Sequence, residues 1–438
     1  MENTTKNQSS IIAIITMMFL YAMISFVTNL AAPIGVIWKN AFQGDSANTV
    51  GMLGNAMNFL AYFFMGIPAG KMLSKIGYKK TALAGIILGF VGVFVQFLSG
   101  FFEADARVAG FVIYLLGAFI GGFCVCILNT VVNPMLNLLG GGGNRGNQLN
   151  LIGGTLNSLT GTLTPLLVGA LIGTVTKDTA MVNINLVLYI AMGVFAAVFI
   201  ILMFIPIQDP QVGKTTSETV FEHSPWAFRH FVLGVIGIFF YVGIEVGIPG
   251  TMIFYLSDTT VAGGGLLKNA VAIAGTVAAT YWFLMLVGRF TAGFIANKIS
   301  SKTMVTVTTI CAITLIVFAI MLGKTITVSM PVFTGSSFEM VTVPVAALLF
   351  VLCGLCTSVM WPCIFNLATE GLGKYTAAAS GIFMMMVVGG GVMPVIQNLI
   401  ADKIGYLISY IIPLLSMGFM LFYAVAGSKN VNKDIPVD

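Results

Sequence analysis

The sequence predicts an all-α membrane protein, with twelve transmembrane helices in two pseudo-symmetric six-helix bundles. Three observations predict it. Only 8% of the 438 residues are charged, 58% are hydrophobic, and mean hydropathy is +1.00, whereas a soluble chain is about 25% charged. The apolar residues come in runs that reach the roughly 20 residues a bilayer span needs, without the alternation of a β-barrel. Landmarks of the first half of the chain also recur in order in the second.

Cutting at polar breaks places the spans near 11–38, 47–72, 79–100, 107–137, 147–175, 183–206, 230–257, 266–297, 302–323, 343–369, 375–402 and 404–426. The first is too long for a removable signal peptide and lacks its small-residue cleavage site. The longest central polar break divides the chain into an N-terminal bundle (1–206), a linker (207–229) and a C-terminal bundle with its tail (230–438). With the N-terminus inside, 13 Lys and Arg fall in inner loops and tails and 6 in outer loops, and Arg289 is left within a helix. The positive-inside rule then puts both termini and the linker in the cytoplasm of a bacterial-type plasma (inner) membrane. The cations are scattered between apolar runs, so no nucleic-acid partner is expected; the expected surroundings are the lipid bilayer, and the chain is expected to be a monomer.

The repeat is carried by three landmarks. Gly70, Lys75 and Lys79 after the second span are matched 223 positions on by Gly293, Lys298 and Lys302 after the eighth. Asn133-Pro134 is matched by Trp361-Pro362, and Gly161 to Pro165 by Gly390 to Pro394. Two similar six-helix halves are what an alternating-access carrier requires, with its site near the midplane. Gly70, Lys75, Arg289 and Lys298 are the expected gating positions around the two basic turns.

Of fifteen acids only Glu245 sits deep in a span. A charge there costs about 2.5–3.5 kcal/mol on insertion scales, so a functional reading comes first. Glu245 could bind a substrate hydroxyl, carry a coupling proton or help to hold Na⁺; a protonated Glu bonded to a neighbouring helix is the structural alternative. Asn129 and Asn133 share a face of span 4, Asn55, Asn58 and Tyr62 one of span 2, and Asn150 and Asn157 lie on span 5. Amides can bond sugar hydroxyls through both C=O and NH₂, or serve as glue between helices. Tyr281, Trp282 and Trp361 could stack on a sugar ring.

Other chemistries fall away. Gly213-Lys214-Thr215 ends like a phosphate-binding loop, but Gln208 stands where its first Gly should be, and no strand precedes it. Cys353 and Cys356 form a C-x-x-C with no second pair and no nearby His, which does not make a zinc site. The two histidines lie in or beside the linker. No enzyme, metal or cofactor is expected.

The assembled motifs resemble the major facilitator superfamily, and within it the fucose/glucose/galactose:proton symporter family. The resemblance rests on Ile67-Pro-Ala-Gly70 through Lys80, with Ser74 where the common pattern has Asp, and on Asn133-Pro134. It also rests on Leu149-Asn-Leu with Asn157-Ser158-Leu159, Tyr241-Val-Gly-Ile-Glu245, and Tyr281-Trp282 followed by Gly288-Arg289-Phe290. Pro362-Cys-Ile-Phe365 and Gly389-Gly-Gly391 with Pro394 complete it. It implies a major facilitator fold and secondary transport of a neutral sugar, a monosaccharide or small disaccharide. Proton symporters of this family carry an Asp in span 1 and often a Glu in span 4. Here span 1 reads Thr28-Asn29-Leu30-Ala31-Ala32-Pro33, and Asn129 stands in span 4. Glu245 is therefore the remaining coupling candidate, for H⁺ or Na⁺, and an uncoupled sugar facilitator stays open. So do a carrier of a nucleoside or drug and a non-transporting sensor on the same architecture. The expected cavity is lined by Asn29, Asn55, Asn129, Asn133 and Asn157 from the first half and by Glu245, Tyr281, Trp282, Trp361 and Asn366 from the second.

Overall fold

The structure is a computed structural model that describes residues 2–42, 44, 46–102, 106–139, 143–172, 179–205, 223–265, 270–296, 299–323, 325–333, 337–432 and 434–437. Among these residues twelve helices are long and apolar enough to cross a membrane. They are span 1 (Ile11–Ala41), span 2 (Ala47–Leu73), span 3 (Lys75–Phe101), span 4 (Arg107–Leu136), span 5 (Ile152–Ile172) and span 6 (Met181–Phe204). Span 7 (Arg229–Ser257), span 8 (Ile273–Ile295), span 9 (Ser301–Leu322), span 10 (Val345–Thr369), span 11 (Gly381–Lys403) and span 12 (Tyr406–Gly427) follow. Their number and order are those the hydropathy breaks predict. Helices are the answer because a backbone in hydrocarbon must satisfy its own N–H and C=O groups. An even number of crossings leaves both chain ends and the linker on one side, called here the linker face.

The opposite face carries the one regular element that the sequence reading leaves as loop. Strands β1 (Thr327–Phe333) and β2 (Phe338–Pro344) pair antiparallel, with Thr327 opposite Pro344 and Phe333 opposite Phe338. Met330, Val332 and Val343 are buried beneath the hairpin. Each strand is only seven residues long and β1 contains Pro331, so the period-2 pattern is too short to stand out between two long helical runs. This face is called the hairpin face.

Spans 2 and 3 are joined by an almost continuous helix, Ala47–Leu98, broken at Gly77 with φ +80° and ψ 176°. That backbone region favours glycine, so Gly77 makes this turn. Gly70 is helical, and a Cβ there would meet nothing within 4 Å; the same is true of its repeat partner Gly293. Lys75 is exposed at the turn. Lys79 reaches further and donates to the Met203 and Ile205 carbonyls, both at 2.8 Å. A cation there satisfies carbonyls that the end of span 6 leaves without partners. Lys298 lies outside the described residues.

Most contact between spans 1–6 and spans 7–12 runs along two seams, span 5 on span 8 and span 2 on span 11. The repeat is visible there. A Cβ on Gly161 of span 5 would come within 3.3 Å of the Trp282 ring of span 8. A Cβ on Gly391 of span 11 would stand 2.7 Å from the Ala56 carbonyl of span 2. Small residues let helix backbones approach where lipid supplies no hydrophobic drive for association. Within the first bundle the tightest such approach is Gly122, whose added Cβ would lie 2.1 Å from the Asn58 carbonyl oxygen. Gly122→Ala is therefore expected to destabilise the protein by about 1–3 kcal/mol, while Gly70→Ala leaves stability unchanged; thermal unfolding of both variants in the same detergent measures the contrast.

Candidate functional site

Prolines create the polar chemistry of the centre. A proline inside a helix has no N–H for the carbonyl four residues earlier. Pro362 thus frees the Ser358 carbonyl at the point where span 10 breaks into two helices, Val345–Thr357 and Met360–Thr369. Pro394 frees the Gly390 carbonyl, which accepts from the Asn55 amide of span 2 at 3.0 Å. Pro33 and Pro249, both within helices, do the same for the main-chain carbonyls of Asn29 and Glu245.

Arg289 on span 8 uses the Ser358 carbonyl. Its Nε donates there at 3.4 Å, its Nη1 to the Gly154 carbonyl at 3.0 Å and to Ser158 Oγ at 2.9 Å, and its Nη2 to Glu245 Oε1 at 3.2 Å. The two charged side chains are only 10% and 14% exposed. The intramembrane acid is therefore paired, with the one cation that the loop count left inside a helix. Gly154 and Ser158 belong to span 5, so this guanidinium also joins the two halves of the chain on the linker side of the midplane.

The amides form a chain of hydrogen bonds beside that pair. Asn129 donates to the Tyr62 hydroxyl at 2.6 Å, and Asn133 donates to the Asn129 carbonyl at 2.9 Å. The Tyr21 hydroxyl donates to Asn133 Oδ1, and Asn157 donates to the Tyr21 carbonyl at 3.0 Å. Spans 1, 2, 4 and 5 are tied together this way. A small cavity of about 30 Å³ lies between the two halves, lined by Thr28, Asn29, Asn55, Pro249, Gly250 and Trp282 among others. It has room for a water or two and is far smaller than a sugar.

The structure thus brings Asn29, Asn55 and Trp282 to one cavity, and Asn129, Asn133 and Asn157 to a network nearer the linker face. Tyr281 is fully buried, its hydroxyl 2.9 Å from Thr357 Oγ1 and its ring edge-on to Trp282. Trp361 is half-buried against Tyr241 and Phe383. Asn366 is half-buried one turn further along span 10.

A second closure, on the hairpin face, uses residues that the sequence reading left among loop and span-end charges. Asp402 of span 11 accepts from the backbone N–H groups of Asn48 and Thr49 at 3.0 and 2.9 Å and from Thr49 Oγ1 at 2.6 Å. It caps the start of span 2 from the other half, where Ser46 makes no side-chain cap of its own. Lys39, in the last turn of span 1, donates to the Phe254 carbonyl at 3.2 Å and to the Tyr406 hydroxyl at 2.9 Å. The Tyr406 hydroxyl is itself 3.0 Å from Asn48 Oδ1 and from Asp258 Oδ2, and donates to one at a time. Alternation alone could have flagged Lys39, a cation set within a helical turn rather than beyond it. Asp402 has no such signal, because its partners are backbone groups of another span.

Burial opposes ionisation of Asp258, but bonds from Thr260, the Lys39 charge and the Tyr406 hydroxyl outweigh it and hold the carboxyl below its usual range. A depressed acid stabilises its surroundings above the ordinary carboxyl pKa, about 3.9, and loses that contribution only as pH falls below it. The Asp258 contribution to this closure should therefore be flat from pH 7 down to pH 5. Asp402→Asn or Lys39→Met should open it, with each lost charge-assisted bond worth about 1.5–3 kcal/mol. The check is the reaction rate of Met52→Cys, in a background lacking the six native cysteines, with a thiol reagent added from the hairpin face. A rise of about tenfold or more corresponds to such a loss.

Residues 14–394 match the Major Facilitator Superfamily. A glucose/galactose transporter of Brucella abortus (strain 2308) is 30% identical over 426 residues, covering 95% of this chain and 94% of that protein. The L-fucose-proton symporter of Escherichia coli K12 is 22% identical over 435 residues, covering 93% and 91%. Among solved structures, a crystal structure of the E. coli fucose:proton symporter aligns with a TM-score of 0.69 at 18% identity, covering 96% of this chain and all of that one. A second structure of it, in an outward conformation, aligns at 0.65 and 19% identity. At such identities the structural likeness speaks to fold. With the family match running from span 1 into span 11, and a relative of 30% identity along nearly the whole length, the chain belongs to the Major Facilitator Superfamily.

Proposed function

We propose that this protein is a secondary active transporter that imports a neutral sugar, a monosaccharide or small disaccharide, by alternating access, with coupling to a cation through Glu245. The observation that carries this reading is the placement of an amide- and tryptophan-lined cavity between the two halves, with contacts between the halves closing both ends. Asn29 and Asn55 offer paired donors and acceptors of the kind vicinal hydroxyls need. Asn29, whose main-chain carbonyl Pro33 frees, can add a main-chain acceptor, and Trp282 offers an apolar face to the C–H side of a ring. A hexose would have to spread the halves to enter, so the present arrangement is a contracted one. The Brucella relative's name supports a hexose as the first substrate to try.

Coupling is assigned to Glu245 because spans 1 and 4 carry no acid at the positions where related proton symporters have one. A carboxylate that can exchange Arg289 for H⁺ or Na⁺ changes the charge balance at the midplane, which is what coupling needs. One observation favours a second reading. If Arg289 never releases Glu245, the same fold works as an uncoupled facilitator. The excess of basic residues supports a linker face and both termini in the cytoplasm, the bacterial relatives support a bacterial plasma membrane, and the proposed carrier works as a monomer.

Counterflow of labelled sugars in proteoliposomes tests the substrate class; exchange with no member of a broad panel would overturn it and turn attention to nucleosides and drugs. For coupling, accumulation is compared with and without a pH or Na⁺ gradient. Glu245→Gln should abolish accumulation while keeping counterflow. Asn29→Ala should raise the KM for counterflow about tenfold, the equivalent of 1.4 kcal/mol.

A further inference from the structure

The geometry points to Arg289 as a charge-gated latch: it holds the linker-face gate shut while Glu245 carries its charge, and lets go when Glu245 is neutralised. The inference rests on the proposed coupling role of Glu245 and adds how that residue would move the halves.

Arg289 is held by two sets of groups. Glu245 and the Ser358 carbonyl belong to spans 7 and 10, in its own half; the Gly154 carbonyl and Ser158 Oγ belong to span 5, in the other. Only one of the four carries a charge. A guanidinium does not give up its proton in a protein, so the latch cannot neutralise itself. With Glu245 ionised, the closed seam buries a compensated pair, and the bonds to span 5 draw the halves together. With Glu245 neutral, the same seam buries an uncompensated cation whose remaining partners are neutral oxygens, which is unfavourable. Parting spans 5 and 8 on the linker side would hydrate it, so neutralisation penalises the closed arrangement more than the open one. The seam has room for the movement: a Cβ on Gly154 would stand 3.5 Å from Arg289 Cδ, so no side chain obstructs the guanidinium from span 5 at that position. The other titratable groups that sense Glu245 are phenols, Tyr21 on span 1, Tyr62 on span 2, Tyr241 on span 7 and Tyr281 on span 8. None of them brings a second negative charge to replace it at neutral pH.

The sign of this effect is unusual enough to test directly. Spin labels at Ile152 and Ile295, exposed near the linker-face ends of spans 5 and 8, report the gate by pulsed electron resonance in nanodiscs, in a background lacking native cysteines. Glu245→Gln should raise the ratio of long to short distances at least tenfold, and Arg289→Gln should raise it as well. The double variant buries neither charge but also lacks the Arg289 bonds to span 5, so it should open, yet by less than the two single effects combined. Ser158→Ala keeps the ion pair but removes one bond across the seam, and should raise the ratio by two- to fivefold; it serves if Arg289→Gln does not fold. An unchanged or shortened distribution in Glu245→Gln, no shift in Ser158→Ala, or a double variant that opens as far as the two single effects combined would each overturn the latch. No sugar is needed for this readout, so failure of the sugar panel and failure of the latch are separate results.

Discussion

A guanidinium buried in a bilayer protein has to find both a counter-charge and enough acceptors, and much of the centre of this molecule follows from that demand. Arg289 engages four oxygens on spans 5, 7 and 10. Removing any of them leaves an uncompensated donor in a medium of low dielectric, where desolvation costs several kcal/mol per ion. The pair Glu245–Arg289 is thus weak evidence of stability for its own sake. Its consequence is positional: it holds Arg289 beside the break that Pro362 makes in span 10, from where the guanidinium reaches span 5 of the other half.

Those breaks are a second layer of the same economy. Five prolines lie within spans 1, 2, 4, 7 and 11, and Pro362 lies in the inner part of span 10. In water each would be a defect. In a membrane protein the carbonyl it frees becomes an acceptor that a side chain from another helix can claim. Asn55 takes the carbonyl freed by Pro394, and Arg289 takes the one freed by Pro362. Both carbonyls are freed in the same way, by prolines of two different repeat landmarks, but the two bonds do different work. The Asn55 bond joins span 2 to span 11 across the halves, and the Arg289 bond stays within one half and orients the guanidinium toward the other.

How far the sequence could be read follows from the range of each interaction. Span number, order and the two-half repeat depend on composition over some twenty residues, and the chain shows them plainly. Glu245 was also legible, because burial makes a lone acid conspicuous in a list of fifteen. Its pairing was not: Arg289 is 44 residues away, and the loop count leaves it within a helix among the gating positions without naming Glu245 as its partner. The basic turn after span 2 is legible in the sequence; within it Gly77 makes the break and Lys79 makes the bonds to the end of span 6. The substitute cap that Asp402 gives span 2 pairs a side chain with backbone N–H groups some 350 residues earlier, and no local pattern encodes that. The β-hairpin was missed because its alternation runs for only seven residues a strand.

The two closures also differ in kind. On the hairpin face, Asp402, Lys39, Tyr406 and Asp258 share charges and dipoles over many short bonds, and with Asp258 held below the ordinary carboxyl range this closure has no reason to respond to mild acidity. On the linker side a single guanidinium spans the seam, and in the latch we propose its hold depends on the state of one carboxylate. A carrier in which both closures answered to the same proton would open at both ends or neither. In the coupled carrier we propose, insulating one from mild acid and making the other depend on a midplane charge would give the two ends the separate triggers that alternating access requires. The scarcity of charge in this chain then has a mechanical reading, since a second acid near Arg289 would compensate it permanently and remove the trigger.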